Sequence, residues 1–280
     1  MVPGYTGFER IGEGGWAEVF RATGDDGREV AVKVMRAGLC RDASAVRRFE
    51  REGRILLSLA HPLIPRVLAV ARTRDARPAL VMELVRGADA RAMIARGASH
   101  WRVAVAVGVG VARALDHAHE RGVIHRDVKP SNVMMADDAT SPEAVRVLDF
   151  GVALCMQETR ITRASSVGTD PYTAPEQRNR VATPTSDLYS LGVTMLHLAT
   201  GSLPGSPVLR AGRAQPPESP PVRAVWPDAP EALDRLLRAM TATDPRQRPA
   251  SAREVEESLL ALEAPPSSPD CGGARRSAGP

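Results

Sequence analysis

The sequence predicts an α+β fold in which strands come first and helices follow. Two observations predict it. Up to Val85, short runs rich in β-branched residues alternate with turn residues, interrupted by one amphipathic helix pattern. From Ala88 onward, the spacing of the apolar residues becomes helical. A chain of 280 residues, 43% of them hydrophobic, is long enough for one large or two small lobes with a buried core.

Composition limits the class of protein. The 37 Lys and Arg and 33 Asp and Glu residues are interspersed and leave a formal charge of +4, so we expect no nucleic-acid partner. The three cysteines are odd in number and far apart, which favours reduced thiols in a cytoplasmic enzyme over disulfides or a metal site. The most apolar window, residues 103–115, contains Arg113 and is too short for a membrane span.

The first strands lie within residues 5–34 and include a glycine-rich turn at Gly12-Glu13-Gly14-Gly15. A turn without side chains lets backbone N–H groups approach phosphates closely. Lys33 lies in an apolar strand, where an unpaired ammonium would be costly to bury, so it needs anionic partners. Residues 43–59 predict a helix with Phe49, Leu56 and Leu59 near one face, and residues 64–70 and 78–85 predict two more strands.

The second part of the chain predicts helices around one short hairpin. Ser99 is a candidate cap for a helix to about Arg121, with Gly122 as its stop. Gly108 and Gly110 inside it each cost ~1 kcal/mol relative to alanine, so we expect close packing there. The hairpin pairs residues 133–135 with 144–148. Further helices are predicted at residues 187–199, 231–240 and 252–264.

Two segments do not favour regular structure. Eight prolines fall within residues 201–230, which disfavours a long helix there. Residues 265–280, rich in proline, serine and glycine, predict a disordered tail.

The strongest local signal is a polar cluster directly after the long helix pattern: His125-Arg126-Asp127-Val128-Lys129-Pro130-Ser131-Asn132, followed downstream by Asp149-Phe150-Gly151. This combination resembles the catalytic core of a eukaryotic-like (Hanks-type) bacterial serine/threonine protein kinase. The resemblance extends over about residues 5–264 and includes further strings at matching positions: Ala31-Val32-Lys33, Ala174-Pro175-Glu176-Gln177 and Asp244-Pro245-Arg246-Gln247-Arg248-Pro249.

The resemblance implies a bilobal protein kinase fold, with residues 1–264 forming one catalytic domain. A small five-stranded β lobe with one main helix would cover about residues 5–85, and a larger, mostly helical lobe about residues 86–264. ATP and Mg²⁺ would lie in the cleft between them. The implied activity is transfer of the γ-phosphate to Ser/Thr hydroxyls of protein substrates. Autophosphorylation of the activation segment, with a possible homodimer for reaction in trans, is also expected.

Phosphoryl transfer needs a proton-accepting carboxylate, metal-binding oxygens and a cation near the phosphate, and the resemblance assigns each. Asp127 would be the base-like residue and Lys129 would lie near the transferred phosphate. Asn132 and Asp149 would hold Mg²⁺. The nucleotide site would comprise Ile11, Gly12, Gly14, Val19, Ala31, Lys33, Met82, Glu83, Val85 and Met134.

The partner of Lys33 on the helix is ambiguous. Spacing to His61-Pro62 makes Glu52 the match, Glu50 competes with it, and only the resemblance separates the two. The third glycine of the family loop is replaced by Ala17.

The segment 152–172 carries several hydroxyls and corresponds to the activation segment. Thr162, Ser165 and Ser166 are the candidate phosphorylation sites, and Arg126 would receive the phosphate. The structural supports implied by the resemblance are Thr169 against Lys129 and Asp127, an ion pair between Glu176 and Arg248, and Asp187 against the catalytic-loop backbone.

Two other functions are considered. A pseudokinase, a nucleotide- or partner-binding scaffold without turnover, is favoured only by Ala17 and the proline-rich segment. It is opposed by the presence of Lys33, Asp127, Lys129, Asn132 and Asp149. A small-molecule phosphotransferase of kinase-like fold is opposed by the Ala-Pro-Glu string and by Arg248.

Overall fold

The computed structural model describes residues 1–136, 141–150, 170–179, 181–203, 209–210, 213–214 and 220–262. The first part of the chain forms one antiparallel sheet of five strands in the order β1-β2-β3-β5-β4. The strands are β1 (Tyr5–Glu13), β2 (Ala17–Gly24), β3 (Glu29–Met35), β4 (Val67–Arg72) and β5 (Pro78–Glu83). Helix α1 (Ala43–Leu56) packs against β4 and β5.

The second part is mostly helical and begins with a three-stranded sheet in the order β6-β7-β8. Its strands are β6 (Gly87–Asp89), β7 (Val133–Ala136) and β8 (Val145–Val147), and a two-residue pair, β9 (Leu209–Arg210) and β10 (Arg213–Ala214), lies further along. The helices are α2 (Ala90–Ala95), α3 (Trp101–His119), α4 (Pro184–Thr200), α5 (Val222–Val225), α6 (Glu231–Met240) and α7 (Ala252–Leu260). This architecture confirms the predicted α+β fold with a five-stranded small lobe and a helical large lobe.

Helix α3 is the core of the large lobe and packs against α4 and α7. The predicted cap was wrong. His100 is the N-cap residue, with Nδ1 accepting from the N–H of Arg102 at 3.3 Å. The helix therefore begins one residue later than predicted, and the N–H of Ser99 donates to the carbonyl of Leu198 on α4 at 2.8 Å. Gly122 follows the helix with φ of +71°, the left-handed conformation expected of a stop.

Other boundaries also differ from the sequence-based predictions. Helical structure begins at Ala90, since residues 87–89 form β6 beside β7 and Asp89 caps α2 by accepting from the N–H of Ala92. Helix α4 begins at Pro184 rather than at Asp187, because proline suits the first helical position. Helices α1 and α7 are each a few residues shorter than predicted.

Within the described part of the proline-rich segment, the only helix is the four-residue α5, in agreement with the predicted lack of a long helix. Its neighbour Trp226 attaches it to α4 by donating from Nε1 to the carbonyl of Ala199 at 2.8 Å. The predicted tail, residues 265–280, lies outside the described residues. Within the described ranges, no helix combines the length and apolarity that crossing a membrane requires.

The two glycines of α3, Gly108 and Gly110, are both closely packed, but their neighbours differ in how easily they can move. A Cβ on Gly110 would lie 2.6 Å from Cβ of Val145 and 2.7 Å from the carbonyl oxygen of Pro142. A Cβ on Gly108 would meet the thioether end of Met195, at 2.6 Å from Sδ. The first neighbours are backbone or β-branched and cannot move away, whereas the methionine is flexible.

We therefore expect Gly110→Ala to lower the free energy of unfolding by about 1–2 kcal/mol, which is the upper range for overpacking, about 2–3 kcal/mol, less the ~1 kcal/mol gain in helix propensity. In Gly108→Ala, the end of the Met195 side chain can move aside, which keeps the overpacking cost small. The ~1 kcal/mol gain in helix propensity should then nearly cancel that cost. Urea unfolding of both variants measures the difference. A greater loss in Gly108→Ala than in Gly110→Ala would contradict this account.

Candidate active site

The loop between α3 and β7 is held by one buried carboxylate. Asp187, in the first turn of α4, is fully buried and accepts from the N–H groups of His125 at 2.8 Å and Arg126 at 2.7 Å. Its third partner is Nε2 of His119 at 2.8 Å, a contact that the sequence analysis missed. Arg126 has φ of +68°, an unfavourable conformation for a non-glycine residue. The three hydrogen bonds to Asp187 stabilise this backbone conformation of Arg126.

Three polar side chains of this loop converge. The Lys129 Nζ donates to Oδ1 of Asp127 at 2.9 Å. The Asn132 Nδ2 donates to the backbone carbonyl of Asp127 at 2.8 Å and to its Oδ2 at 3.1 Å. Both oxygens of the Asp127 carboxylate are therefore oriented, while the side chain stays partly exposed.

The small lobe contributes a cation that pairs with Asp149, a carboxylate close enough to Lys129 to be influenced by its charge. Lys33 is buried on β3, and its Nζ lies 2.7 Å from Oδ1 of Asp149. Desolvation tends to raise the pKa of the Asp149 carboxyl, but the charge and hydrogen bond of Lys33 hold it below its usual value. The carboxylate is thus ionised at neutral pH, as a metal ligand must be.

Asp149 is itself held by its neighbours. It lies at φ of +63°, between Leu148 and the buried Phe150. The rings of Phe150 and His125 pack with centroids 4.5 Å apart, and Nε2 of His125 lies 2.8 Å from the carbonyl oxygen of Leu148. The loop between α3 and β7 and Asp149 are therefore coupled through His125.

The structure distinguishes between the two candidate glutamates on α1. Glu50 lies toward the outside and pairs with Arg72. Glu52 is buried, 6% exposed, on the inward face of the helix. This orientation favours Glu52 as the partner for the cleft.

An apolar cavity lies beside the Lys33–Asp149 pair. Of the predicted nucleotide-site residues it is lined by Ile11, Val19, Ala31, Lys33, Met82, Glu83, Val85 and Met134. Gly12 and Gly14 do not line it. The Gly14 N–H donates to the carbonyl of Ala17 at 2.8 Å, and its own carbonyl accepts from Nε of Arg36 at 2.7 Å. Leu84, between the predicted hinge residues Glu83 and Val85, also lines it, and the sequence analysis missed further lining residues: Leu56, Ile64, Pro65, Val67, Val147, Leu148 and Phe150.

Arg126 has an unusual environment. Its Nε is buried and has no hydrogen-bond partner within the part of the chain that is described. Burial lowers the pKa of the guanidinium, against the opposing charges of Asp187 and Glu52. The candidate phosphorylation sites Thr162, Ser165 and Ser166, and also Thr169, lie outside the described residues. Next to them, Oδ2 of Asp170 lies 3.8 Å from Nζ of Lys129.

The ion pair expected between Glu176 and Arg248 is present. Nη1 and Nη2 of Arg248 donate to the two carboxylate oxygens at 2.7 and 2.9 Å, and the arginine side chain is fully buried. Burial tends to raise the pKa of Glu176, but hydrogen bonds from Arg248 and Ser186 bring it below its usual value. Arg248 also donates to three carbonyls, those of Thr185, Ala242 and Thr243.

Comparison with known proteins places this geometry in a family. The protein kinase domain family matches residues 5–260. The chain is 37% identical over 269 residues to serine/threonine-protein kinase pkn3 of Myxococcus xanthus, covering 90% of this chain and 49% of that protein. It is 34% identical over 258 residues to serine/threonine-protein kinase PrkC of Bacillus subtilis, covering 89% of this chain and 39% of the relative. The chain thus spans less than half the length of these relatives.

A solved structure shows the same fold. The kinase domain of PknI from Mycobacterium tuberculosis matches with a TM-score of 0.72 and 29% sequence identity, over 94% of this chain and 97% of that one.

Proposed function

The chain belongs to the protein kinase domain family, and we propose that it is an active serine/threonine kinase that transfers the γ-phosphate of ATP to hydroxyls of protein substrates. One observation supports this most strongly: Asp127, Lys129 and Asn132 converge in one loop, and the charge of Lys129 acts on Asp149, which pairs with Lys33 at the wall of an apolar cavity. The chemistry needs little beyond these groups, because phosphoryl transfer depends on positioning and on neutralising charge.

The transfer step uses the catalytic-loop side chains. A substrate hydroxyl next to Asp127 gives its proton to the Asp127 carboxylate. In the same step the hydroxyl oxygen bonds to the γ-phosphorus, and the bond between that phosphorus and the ADP oxygen breaks. Lys129, already hydrogen-bonded to Asp127, supplies positive charge to the migrating phosphoryl group. The orientation of Asp127 by two donors reduces the reorganisation that this step requires.

The nucleotide would be held from both lobes. The adenine fits the apolar cavity between Val19 and Ala31 on one side and Met134 on the other. Lys33 would contact the phosphates and pair with Glu52, which lies buried on α1. The ionised carboxylate of Asp149 and the amide oxygen of Asn132 are hard donors that fit Mg²⁺, with phosphate oxygens completing the ligand set. When bound, Mg²⁺ would neutralise charge on the β- and γ-phosphates.

Regulation by the activation segment is part of the proposal. The Nε of Arg126, which has no hydrogen-bond partner among the described residues, is a donor that a phosphate on Thr162, Ser165 or Ser166 would satisfy, and such a contact would order the segment. Phosphorylation in trans within a homodimer is the proposed route. We also propose a cytoplasmic location, where ATP is supplied.

The test is to incubate the purified chain with Mg²⁺ and ATP, beside Lys33→Met, and to map phosphorylated residues by mass spectrometry. We expect phosphate on hydroxyls of the 152–172 segment in the parent. In the variant we expect at least a ~10²-fold slower transfer, the cost typical of removing one group that stabilises the transition state. Chelation of Mg²⁺ should abolish transfer in both. Measurable ATP binding without phosphate on the chain or on a generic basic protein would contradict the proposal and favour a scaffold.

A further inference from the structure

A second cavity lies next to the apolar cavity of the proposed nucleotide site, and its lining is rich in charged residues. Both cavities are lined by Pro65, Glu83, Leu84 and Val85, so these residues form a wall between them. The second is an open groove of about 500 Å³, within the range of protein ligand sites. Its charged residues are Arg28, Arg66, Arg86 and Arg146, with Glu29 and Glu83, and we refer to it as the basic groove.

The two glutamates offset only part of the positive charge of the basic groove. Glu29 pairs with Arg86 and lies 3.8 Å from Arg21 outside the groove. Glu83 uses Oε2 to accept from the backbone N–H of Arg66 at 3.0 Å, so this contact leaves the guanidinium of Arg66 uncompensated.

Arg28 lies 3.6 Å from the carboxylate of Asp26, so in the described part of the chain two guanidinium groups of the groove remain without a carboxylate. Neither Arg66 nor Arg146 has an ion-pair partner within 4.0 Å among the residues that the structure describes. Arg146 is also held in place, because Nη1 donates to the carbonyls of Glu143 at 2.7 Å and Val145 at 2.8 Å. A fixed guanidinium that lacks an anion is already arranged to bind one, since less side-chain entropy is lost on binding.

The groove also offers an apolar contact. Leu68, on β4 close to Arg66 in sequence, lines it and is 45% exposed. A free phosphate would leave this leucine in water and would be repelled by Glu29 and Glu83. A peptide can place carboxylates at the arginines, keep clear of the glutamates and cover the leucine with an apolar side chain.

We propose that the basic groove is a docking site for an acidic peptide segment of a protein partner. Carboxylates of the segment bind Arg66 and Arg146, and an apolar residue between them packs on Leu68. The proposal concerns binding only. It can be tested on a chain that transfers no phosphate, so its failure is distinguishable from failure of the proposed kinase activity.

The probe is a fluorescently labelled peptide of glutamate and leucine, such as Glu-Glu-Leu-Glu-Glu, which has no hydroxyl to phosphorylate. Fluorescence anisotropy measures its Kd for the full chain. We expect saturable binding that weakens with added salt, as contacts between exposed charges do. The double variant Arg66→Glu with Arg146→Glu should bind at least ~10-fold more weakly, because two charge-assisted contacts become repulsive.

The matched control is Arg74→Glu with Arg223→Glu, two exposed arginines outside the groove that give the same change in net charge. The change in net charge weakens the general electrostatic attraction to the peptide equally in both double variants. With no groove contact removed, the control should have a Kd within about twofold of the parent value. Equal Kd values for the two double variants would overturn the proposal. So would equal binding of a Gln-Gln-Leu-Gln-Gln peptide, or displacement of the acidic peptide by inorganic tripolyphosphate at the same concentration as by unlabelled peptide.

Thermal unfolding of each double variant checks that it remains folded. If Arg66→Glu with Arg146→Glu unfolds, Arg66→Gln with Arg146→Gln, which removes the charges without reversing them, provides the same comparison and should weaken binding in the same direction.

Discussion

In Asp127→Asn, kcat for peptide phosphorylation is expected to fall by ~10²–10⁴-fold, the range for loss of a general base, with KM for ATP nearly unchanged. Asparagine has nearly the same shape and can still accept a hydrogen bond from Lys129, so the loop should keep its conformation. It cannot take up the proton of the substrate hydroxyl. Initial rates at varied ATP and varied peptide concentrations separate kcat from the two KM values.

Two other aspartates serve as comparisons. Asp116 on α3 pairs with Arg253 at the surface, and Asp116→Asn should retain the parental kcat. Asp170 is a second carboxylate near Lys129. Its Oδ2 lies 3.8 Å from Nζ of Lys129, which is too far for a hydrogen bond. Asp170→Asn should therefore cost less than Asp127→Asn. Equal losses in Asp127→Asn and Asp170→Asn would mean that negative charge near Lys129, rather than a base at position 127, is what the reaction needs.

The candidate catalytic residues stand out in the sequence because phosphoryl-transfer chemistry restricts both their type and their spacing. A carboxylate, an ammonium and a carboxamide within six residues, followed by Asp149, have few alternative explanations. Only three-dimensional packing revealed the contact of His119 with Asp187, since a histidine near a helix end carries no signal for its partner.

The cavity wall could be predicted only in part. Leu56, Ile64 and Val67 line it, but in sequence they are apolar residues of a helix and of the segment into a strand, the same pattern that a closed core produces. Periodicity tells which face of an element is buried, not whether it is buried against protein or against a ligand.

Glu50 and Glu52 illustrate the same limit on a helix. Two positions apart, they lie on different faces, because each residue turns the helix by about 100°. Which face is turned inward depends on how α1 rests on β4 and β5, a long-range arrangement that local sequence does not contain. The predicted cap at Ser99 was wrong by one residue: His100 is the cap, with its ring accepting from the N–H of Arg102, while the N–H of Ser99 contacts the neighbouring helix α4.

The buried ion pair between Glu176 and Arg248 predicts the largest effect on stability. Arg248→Ala is expected to lower the free energy of unfolding by about 3–5 kcal/mol, the cost of leaving one charge of a buried pair alone. The three carbonyls that accept from Arg248 lose their donor as well. Arg246, two residues away, provides the matched control. Its pair with Asp244 is at the surface, with the arginine side chain 89% exposed, so Arg246→Ala should leave the unfolding midpoint nearly unchanged.

A double variant tests whether the loss comes from the isolated charge. Glu176→Leu with Arg248→Met removes both charges and leaves none buried, so it should be more stable than Arg248→Ala alone. If the double variant is instead less stable than Arg248→Ala, the pair itself supplies the stability, rather than the avoidance of a lone charge. Urea unfolding at neutral pH measures all three.

The pH dependence of unfolding provides an independent check on the same pair. In the folded chain the pKa of Glu176 lies below its usual value of 4.5, so the unfolded state binds the proton more readily. The stability from the pair is therefore complete above pH 4.5 and is lost as the pH falls through the lower folded pKa. Arg248→Ala lacks the guanidinium that holds this pKa down, so it has less of this stability to lose. The stability gap between parent and variant should accordingly narrow as the pH is lowered below 4.5. A gap that stays constant across that range would mean that Glu176 is not the residue through which Arg248 stabilises the fold.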